Sequence, residues 1–145
     1  MSHRIREMSI ADFEDIIQIF RVTPGISVRD ADSREATEVY LQRNPGLSFV
    51  AVVDEKIVGC VMSGHDGRRG YLQHLVVKPE YRRQGIGETL FTACLDALQG
   101  IGIHKTHIFV MRDNQLGNEF WRSKGWVLRD EIKMYSYNRS ASANA

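Results

Sequence analysis

The sequence has little of what marks a specialised class of protein. Only two of its 145 residues are cysteine and only three are proline. Cys60 and Cys94 lie within a predicted strand and a predicted helix, which favours two buried thiols over a disulfide or a metal pair. No run approaches the ~18 apolar residues of a membrane span, and residues 1–7 contain no apolar signal region. We therefore expect a cytoplasmic protein without a membrane partner.

An excess of charge of one sign is also missing. The formal net charge is +1 and the isoelectric point is about 7.8, so no global field marks the chain as a nucleic-acid binder. Hydrophobic residues make up 43% of the sequence and charged residues 26%, which is typical of a globular domain. We expect a single domain over residues 1–137 and a mobile tail over residues 138–145, which has nothing to bury.

The pattern of apolar residues predicts an α/β fold in the order β-α-α-β-β-β-α-β-α-β-β, with helices packed on one mixed sheet. The first predicted helix begins at Ser9. The other three run over about Ser33–Arg43, Gly85–Leu98 and Gln115–Lys124. The predicted strands are Arg4–Met8, Phe49–Val53, Ile57–Met62, Tyr71–Val77, Thr106–Met111, Trp126–Leu128 and Ile132–Tyr137.

A candidate phosphate site lies between the fourth strand and the third helix. Pro79 ends the strand, and the first amides of the following helix have no partner within the helix. Gly85 and Gly87 lack a Cβ, so a bulky anion can approach the backbone closely. Arg82 and Arg83 add guanidinium groups suited to bidentate phosphate contact. The segment therefore predicts a site for a diphosphate.

Two other phosphate-binding loops do not match this segment. No Gly-Lys-Ser/Thr follows it, and Leu90 occupies the third glycine position of G-x-G-x-x-G, which excludes a Walker loop and a dinucleotide fingerprint. The remaining alternative is a glycine-rich helix start with two solvated arginines. The strand before the motif and the apolar helix after it favour the diphosphate site.

At these residues the sequence resembles the GNAT superfamily of acetyl-CoA-dependent N-acetyltransferases. The family pattern, R/Q-x-x-G-x-G/A after a strand ending V-x-P, is met by Val77-Lys78-Pro79 followed by Arg82, Gly85 and Gly87. A second pattern, N-x-x-A-x-x-hydrophobic-Y-x-x-x-G-F, is met approximately by Asn114, Gly117, Phe120, Trp121, Gly125 and Trp126. The resemblance extends to about Tyr137 and implies a mostly antiparallel central sheet flanked by helices. The turn ending in Gly70-Tyr71 is also similar to that of small bacterial members.

The resemblance implies an N-acetyltransferase that moves the acetyl group of acetyl-CoA directly to a primary amine of a small molecule, peptide or protein. Such transfer occurs in a ternary complex and needs neither a metal nor a covalent enzyme intermediate. One alternative is an acyl-CoA-binding regulatory domain of the same fold without catalysis. Another is a nucleic-acid-binding module using a basic patch of Arg68, Arg69, Arg82 and Arg83, and we expect no nucleic-acid partner. Both a monomer and a homodimer are compatible with the sequence.

The resemblance also implies which residues contact the cofactor. The pyrophosphate would lie on the amides that open the third helix, and the pantetheine arm would pair with the fourth strand where it splays from Thr106–Met111. Asn114 would contact the arm, aromatic side chains would flank the thioester end, and Lys124 would reach a phosphate or remain solvated. The expected set is Leu75, Val76, Val77, Arg82, Arg83, Gln84, Gly85, Ile86, Gly87, Glu88, Asn114, Phe120, Trp121 and Lys124.

The catalytic residues are less well defined by the sequence. In related enzymes the acceptor-facing positions of the fourth strand are those occupied here by Tyr71 and Gln73, and neither is a good base at pH 7. His74 has a suitable unperturbed pKa of ~6.5, but strand alternation turns it to the opposite face unless a bulge intervenes. A buried structural histidine is the alternative. Trp121 stands where family members often carry a tyrosine acid, which leaves Tyr71, Tyr135 or unaided thiol departure.

The acceptor is not identified by the sequence. The acidic segment Asp30–Glu35 either attracts a cationic acceptor or is an ordinary acidic helix start.

Overall fold

The computed structural model describes residues 2–145 of the chain. Its helices are α1 (Phe13–Val22), α2 (Arg34–Arg43), α3 (Ile86–Gly100) and α4 (Gln115–Ser123). Its strands are β1 (Arg4–Glu7), β2 (Phe49–Val53), β3 (Lys56–His65), β4 (Gly70–Val77) and β5 (Thr106–Ile108). Three short 3-10 turns, Ile10–Asp12, Asp30–Asp32 and Pro79–Tyr81, precede α1, α2 and α3 respectively.

The residues form two compact units, the first ending at Phe109 and the second comprising Val110–Ala145. All five strands and helices α1 to α3 belong to the first unit, and α4 belongs to the second. No helix within residues 2–145 is long and apolar enough to cross a membrane.

The five strands form one sheet in the order β1-β2-β3-β4-β5. The first four strands pair antiparallel, and only β4 and β5 run parallel. Helix α1 packs against β3 and β4, and α3 packs against β2, β3 and β4. The mixed, mostly antiparallel sheet flanked by helices is therefore confirmed.

Helix α1 shows why one side of the sheet is buried. Its apolar residues recur at helical spacing, so Phe13, Ile16, Ile17 and Phe20 share one face, and all are buried. They form one core cluster with sheet residues from β2, β3 and β4. Burial of each such side chain stabilises the fold by roughly 1.5–3 kcal/mol. This packing sets the position of α1 over the part of β4 that carries the candidate site.

The two closing strands predicted from the sequence, Trp126–Leu128 and Ile132–Tyr137, are not formed. Both segments carry apolar residues, but all of these side chains except the half-buried Trp126 remain exposed, for example Val127 at 79% and Tyr135 at 88%. A strand requires a partner for its backbone groups as well as an apolar pattern. The apolar pattern alone was therefore not sufficient to form these strands.

The remaining predicted elements agree with the structure to within a few residues, apart from β5, which is half its predicted length. In the tail, Asn138, Ser140 and Ser142 exchange hydrogen bonds with one another, and the mobility expected of residues 138–145 stays a prediction.

Candidate active site

Strand β4 contains a bulge at the centre of the candidate site. Met62 of β3 pairs with Gln73, and Cys60 pairs with Val76. One residue therefore separates the two pairs on β3 and two separate them on β4, which defines the extra residue of a β-bulge. His74 accommodates it with a φ of 53°, an uncommon backbone conformation for a residue with a side chain.

The bulge turns His74 toward the face of the sheet covered by α1. The imidazole ring lies 4.7 Å from the ring of Phe20, centroid to centroid. Phe20 belongs to the core cluster beneath α1, which also contains Met62, the partner of Gln73. His74 and Gln73 are thus on the same side of the sheet although they are adjacent in sequence. Regular strand alternation would have separated them.

His74 is hydrogen-bonded to a carboxylate from a distant part of the chain. Its Nε2 lies 3.0 Å from Oδ1 of Asp32, and the two side chains are 23% and 10% exposed. The other oxygen of Asp32 accepts the Arg29 backbone N–H at 2.8 Å. Burial opposes ionisation of Asp32, but the hydrogen bonds from His74 and Arg29 offset it, so the pKa of Asp32 lies below its usual value.

Asp32 is the functional candidate that sequence reasoning missed. The acidic segment was visible, but it suggested only attraction of a cation or an acidic helix start. Its histidine partner is 42 residues away, and no local pattern links the two positions.

A pocket of about 490 Å³ opens beside this pair. It lies between α2, the turn before α2, and the adjoining parts of β3 and β4, all within the first unit. Its volume is in the range of small-molecule sites. The lining residues are Ser27, Arg29, Ala31, Asp32, Ala36, Val39, Tyr40, Arg43, Met62, Gln73 and His74.

Two of the three catalytic candidates line this pocket. Gln73 and His74 do, whereas Tyr71 does not. The Tyr71 hydroxyl lies 3.4 Å from a carboxylate oxygen of Asp66, and its ring stacks on Phe109 with centroids 6.2 Å apart. Tyr71 is therefore held at the β3–β4 turn and at the end of β5.

Strand β4 is paired on both edges only over its first residues. Strand β5 pairs with Gly70, Tyr71 and Leu72, and within the first unit the sheet continues no further on that side. From Gln73 to Val77, β4 pairs only with β3. The two parallel strands thus separate at the point expected for a pantetheine arm, beside Leu75, Val76 and Val77.

The chain then turns sharply into α3. Arg83 and Gly85 both have positive φ, 62° and 80°. Gly85 is the N-cap residue, and no side chain caps the helix. The amides of Ile86 and Gly87 have no backbone acceptor among residues 2–145. The first turn of α3 therefore presents donor groups and the positive end of the helix dipole.

The side chains around this turn are accessible. Arg82, Arg83, Gln84 and Glu88 are exposed. The Nε of Arg82 donates to the carbonyl of Val77 at 2.9 Å, which ties the arginine to the end of β4. Helix α3 itself is anchored below by Ile86, which is 1% exposed.

The four remaining cofactor candidates belong to the second unit. Asn114 caps α4, because its Oδ1 accepts the Gly117 N–H at 2.9 Å. Trp121 is 8% exposed and makes an edge contact with Phe120 at a centroid separation of 5.1 Å. The Nζ of Lys124 lies 5.8 Å from the Phe120 ring centroid, an arrangement typical of a cation–π contact.

Both cysteines are free and buried, as predicted. Burial raises the pKa of each thiol to about 12, so neither is a nucleophile at neutral pH. Among residues 2–145 no three histidine, cysteine or acidic side chains come together in a way that could hold a metal ion.

Comparisons with known proteins agree with one another. The model of the acetyltransferase (GNAT) family matches residues 13–126. An acetyltransferase of Pectobacterium atrosepticum is 40% identical over 103 residues, covering 71% of this chain and 72% of the relative. An acetyltransferase of Yersinia pestis is 34% identical over 130 residues, covering 90% and 92% respectively. The structure of the PaiA N-acetyltransferase of Thermoplasma acidophilum with coenzyme A is similar at a TM-score of 0.77 and 27% identity, over 86% of this chain and 89% of that one.

Proposed function

The chain belongs to the GNAT family of acetyltransferases, and from this premise we propose that it transfers the acetyl group of acetyl-CoA directly to a primary amine. The amine belongs to a small molecule, a peptide or a protein. The family match runs over residues 13–126, which supports a single N-acetyltransferase domain over residues 1–137. The transfer takes place in a ternary complex of protein, acetyl-CoA and acceptor.

One observation carries this proposal: a single strand adjoins an open edge for the cofactor arm, the uncapped start of α3 and the pocket that contains His74. The edge of β4 that β5 leaves after Leu72 supports binding of an extended, amide-containing arm. The uncapped start of α3 follows β4 in the chain. His74 lies in the bulge of the same strand and lines the pocket on the α1 side. A cofactor along this edge would therefore pass close to a titratable group.

The residues of the first unit fit the cofactor chemically. The amides of Ile86 and Gly87 suit a diphosphate, and Arg82 and Arg83 supply positive charge beside them. The relative solved with coenzyme A, at 27% identity, supports the same ligand here. When bound, acetyl-CoA supplies the thioester from which the acetyl group is transferred.

We assign the general base to His74. An amine with a pKa near ~10.4 is mostly protonated at pH 7 and must lose a proton before it can attack. Nε2 of His74 is hydrogen-bonded to Asp32, so Nδ1 is the ring nitrogen that can accept that proton. The ionised Asp32 orients the ring and stabilises the imidazolium that forms. Gln73, which lines the same pocket, offers a neutral donor and acceptor to position the amine.

No dedicated acid is required for the departing thiol. The indole of Trp121 does not release a proton at neutral pH, and the Tyr71 hydroxyl is directed at Asp66. Tyr135 is 88% exposed. A thiol with a pKa of ~8.5 is a fair leaving group without assistance. We therefore expect Trp121→Tyr to change the turnover number by less than about tenfold.

The cofactor site is tested by calorimetry with acetyl-CoA on two matched glycine variants. Gly85 lies just before the beginning of α3, and Gly102 lies shortly after its end. Both have positive φ, and an added Cβ meets nothing within 4 Å at either position. Each change to alanine should cost stability through the same left-handed strain, about 1–2 kcal/mol. Only Gly85→Ala should weaken binding of acetyl-CoA, by about tenfold, because only Gly85 adjoins the expected diphosphate.

Two results would contradict the proposed function. One is the absence of any binding heat with acetyl-CoA for the folded wild-type protein. The other is the absence of free-thiol release above background across a broad panel of amines, which would leave a cofactor-binding domain without catalysis. Equal weakening of binding by Gly85→Ala and Gly102→Ala would instead move the diphosphate away from the start of α3.

A further inference from the structure

The pocket beside His74 carries more positive than negative charge. Arg29 and Arg43 line it, and neither guanidinium forms an ion pair with a carboxylate within residues 2–145. Arg43 makes only long contacts with neutral groups, at 3.4 Å to the carbonyl of His65 and 3.5 Å to the side chain of Asn44. Both arginines are exposed, so their charges are available to a ligand.

Among residues 2–145, Asp32 is the only carboxylate that lines the pocket, and it already has two partners. Asp32 contacts His74 through one oxygen and the Arg29 amide through the other. Each of its two oxygens thus already accepts one hydrogen bond. The two guanidinium groups that line the pocket thus outnumber its one carboxylate, and an acceptor with several positive charges would meet a net positive charge there.

The lining of the pocket follows one face of α2. Ala36, Val39, Tyr40 and Arg43 line it, and their spacing places them on one face of the helix. From Ala36 to Arg43 this face extends for about 10 Å, at ~1.5 Å per residue. Asp32 and His74 lie near the beginning of α2, whereas Arg43 lies at its last turn. The base and this guanidinium are thus near opposite ends of the pocket, and the α2 residues that line it between them, Ala36, Val39 and Tyr40, are uncharged.

We propose that the acceptor is a small molecule with a primary amine at one end and an anionic group, a carboxylate or a phosphate, at the other. Arg43 binds the anionic group, and Arg29 adds positive charge to the same pocket. The amine then lies toward His74, and the apolar stem contacts Val39 and Met62. This assignment rests on the proposed function, because it concerns the acceptor of the same reaction.

The experiment measures free-thiol release with amines that differ only at the far end. The series contains ω-amino acids with about two to about eight carbons, together with alkylamines, diamines and aminoalkyl phosphates of equal length. We expect kcat/KM for an ω-amino acid or aminoalkyl phosphate to exceed that of the matching alkylamine by about tenfold or more. The diamine should be the poorest of the set. The ranking of carboxylate and phosphate identifies which anion the site prefers.

Three arginine variants separate binding of the anion from a structural effect. Arg43→Gln should remove most of the preference by raising KM for the anionic acceptor about tenfold, and Arg43→Lys should retain part of it. Arg21, exposed in the last turn of α1 and outside the pocket, provides the control, and Arg21→Gln should keep the full preference. Thermal melts of each variant establish that it is folded.

Failure of this inference can be distinguished from failure of the proposed function. Turnover that is equal or higher with the alkylamine or the diamine overturns the inference and leaves acetyl transfer intact. Binding of the N-acetylated ω-amino acid, measured by calorimetry against its carboxamide, does not depend on turnover. The inference is supported if the carboxylate binds and Arg43→Gln weakens that binding. It is overturned if no acid in the series binds better than its carboxamide.

Discussion

Two acidic turns in this protein have the same local structure and different partners. Asp12 and Asp32 are each the last residue of a 3-10 turn before a helix. In each turn the carboxylate accepts the backbone N–H three residues earlier, from Ser9 at 2.9 Å and from Arg29 at 2.8 Å. Burial raises the pKa of each carboxylate, but the hydrogen bonds that it accepts outweigh this effect, so each pKa lies below its usual value.

The difference lies in what the second oxygen meets. Asp12 forms a two-point contact with the guanidinium of Arg6, at 2.8 and 2.9 Å. Because arginine stays charged at all physiological pH values, this pair fastens β1 to the beginning of α1 and has no protons to exchange. Asp32 contacts His74, an imidazole whose ring nitrogens can either donate or accept a hydrogen bond. The turn that ends at Asp12 therefore has a structural role, and we call it the structural turn. In our proposal the turn that ends at Asp32 takes part in catalysis, and we call it the chemical turn.

The largest expected effect is the loss of the base. His74→Gln should lower kcat by about 100-fold, equivalent to about 2.7 kcal/mol of transition-state stabilisation, with little change in the free energy of unfolding. Steady-state kinetics and urea unfolding of the same preparation measure both. His104→Gln, at an exposed position outside the pocket, is the matched control and should retain wild-type kcat. A fall in kcat of less than threefold for His74→Gln would exclude His74 as the base.

A change in the structural turn should lower stability and leave activity nearly unchanged. Asp12→Asn should destabilise the fold by about 2 kcal/mol, less than a fully buried pair, because Arg6 remains partly in water. Activity per folded molecule should stay near that of the wild type. Asp15, exposed on α1, gives the control, and Asp15→Asn should change stability by no more than about 0.5 kcal/mol. Equal stability of the Asp12 and Asp15 variants would show that the Arg6 contact contributes nothing.

The chemical turn is expected to show a smaller, kinetic effect. Asp32→Asn preserves an acceptor for the Arg29 amide but removes the charge that stabilises the imidazolium of His74. We expect kcat to fall by about tenfold, with KM for acetyl-CoA unchanged and the pH at which the rate is half-maximal shifted downward. An unshifted pH–rate profile would mean that Asp32 does not act through His74.

The smallest expected effect is the pH dependence of the structural pair. Because the folded-state pKa of Asp12 lies below the ordinary value of 3.8, its contribution to stability is complete above that value and disappears as pH falls through the folded-state pKa. The stability difference between the wild type and Asp12→Asn should therefore be constant at neutral pH and shrink below about pH 4. Urea unfolding at several acidic pH values measures it. A difference that persists unchanged to about pH 2 would contradict the assignment.

Much of the fold followed from local patterns in the sequence. The helix starts near Ser9 and Ser33, the breaks at prolines and glycines, and the apolar faces of α1 and α3 are short-range features, so they predicted the elements to within a few residues. The closing strands failed because pairing is a property of two segments. Residues 126–137 have a strand-like pattern, but the pattern does not supply a partner.

The candidate site was predictable in proportion to how local its parts are. The start of α3 was visible because Pro79, Arg82 and Gly85 are close in the chain and each has a direct physical effect there. The position of His74 was not, since regular alternation placed it on the wrong face and the sequence contains no clear mark of the bulge. The importance of Asp32 was hidden as well, because it depends on contact with His74, whose position the sequence did not predict.

Neighbouring residues in the chain specify the capped helices, the glycine turn before α3, and two acidic turns whose carboxylates bond to their own backbone. The partner that each carboxylate contacts beyond its own turn depends on long-range packing. The packing of α1 on the sheet and the extra residue in β4 bring His74 to Asp32, whereas β1 brings Arg6 to Asp12. Hydrogen bonds within a turn are fixed by a few backbone angles, but a contact across 42 residues depends on how the whole sheet and its helices pack.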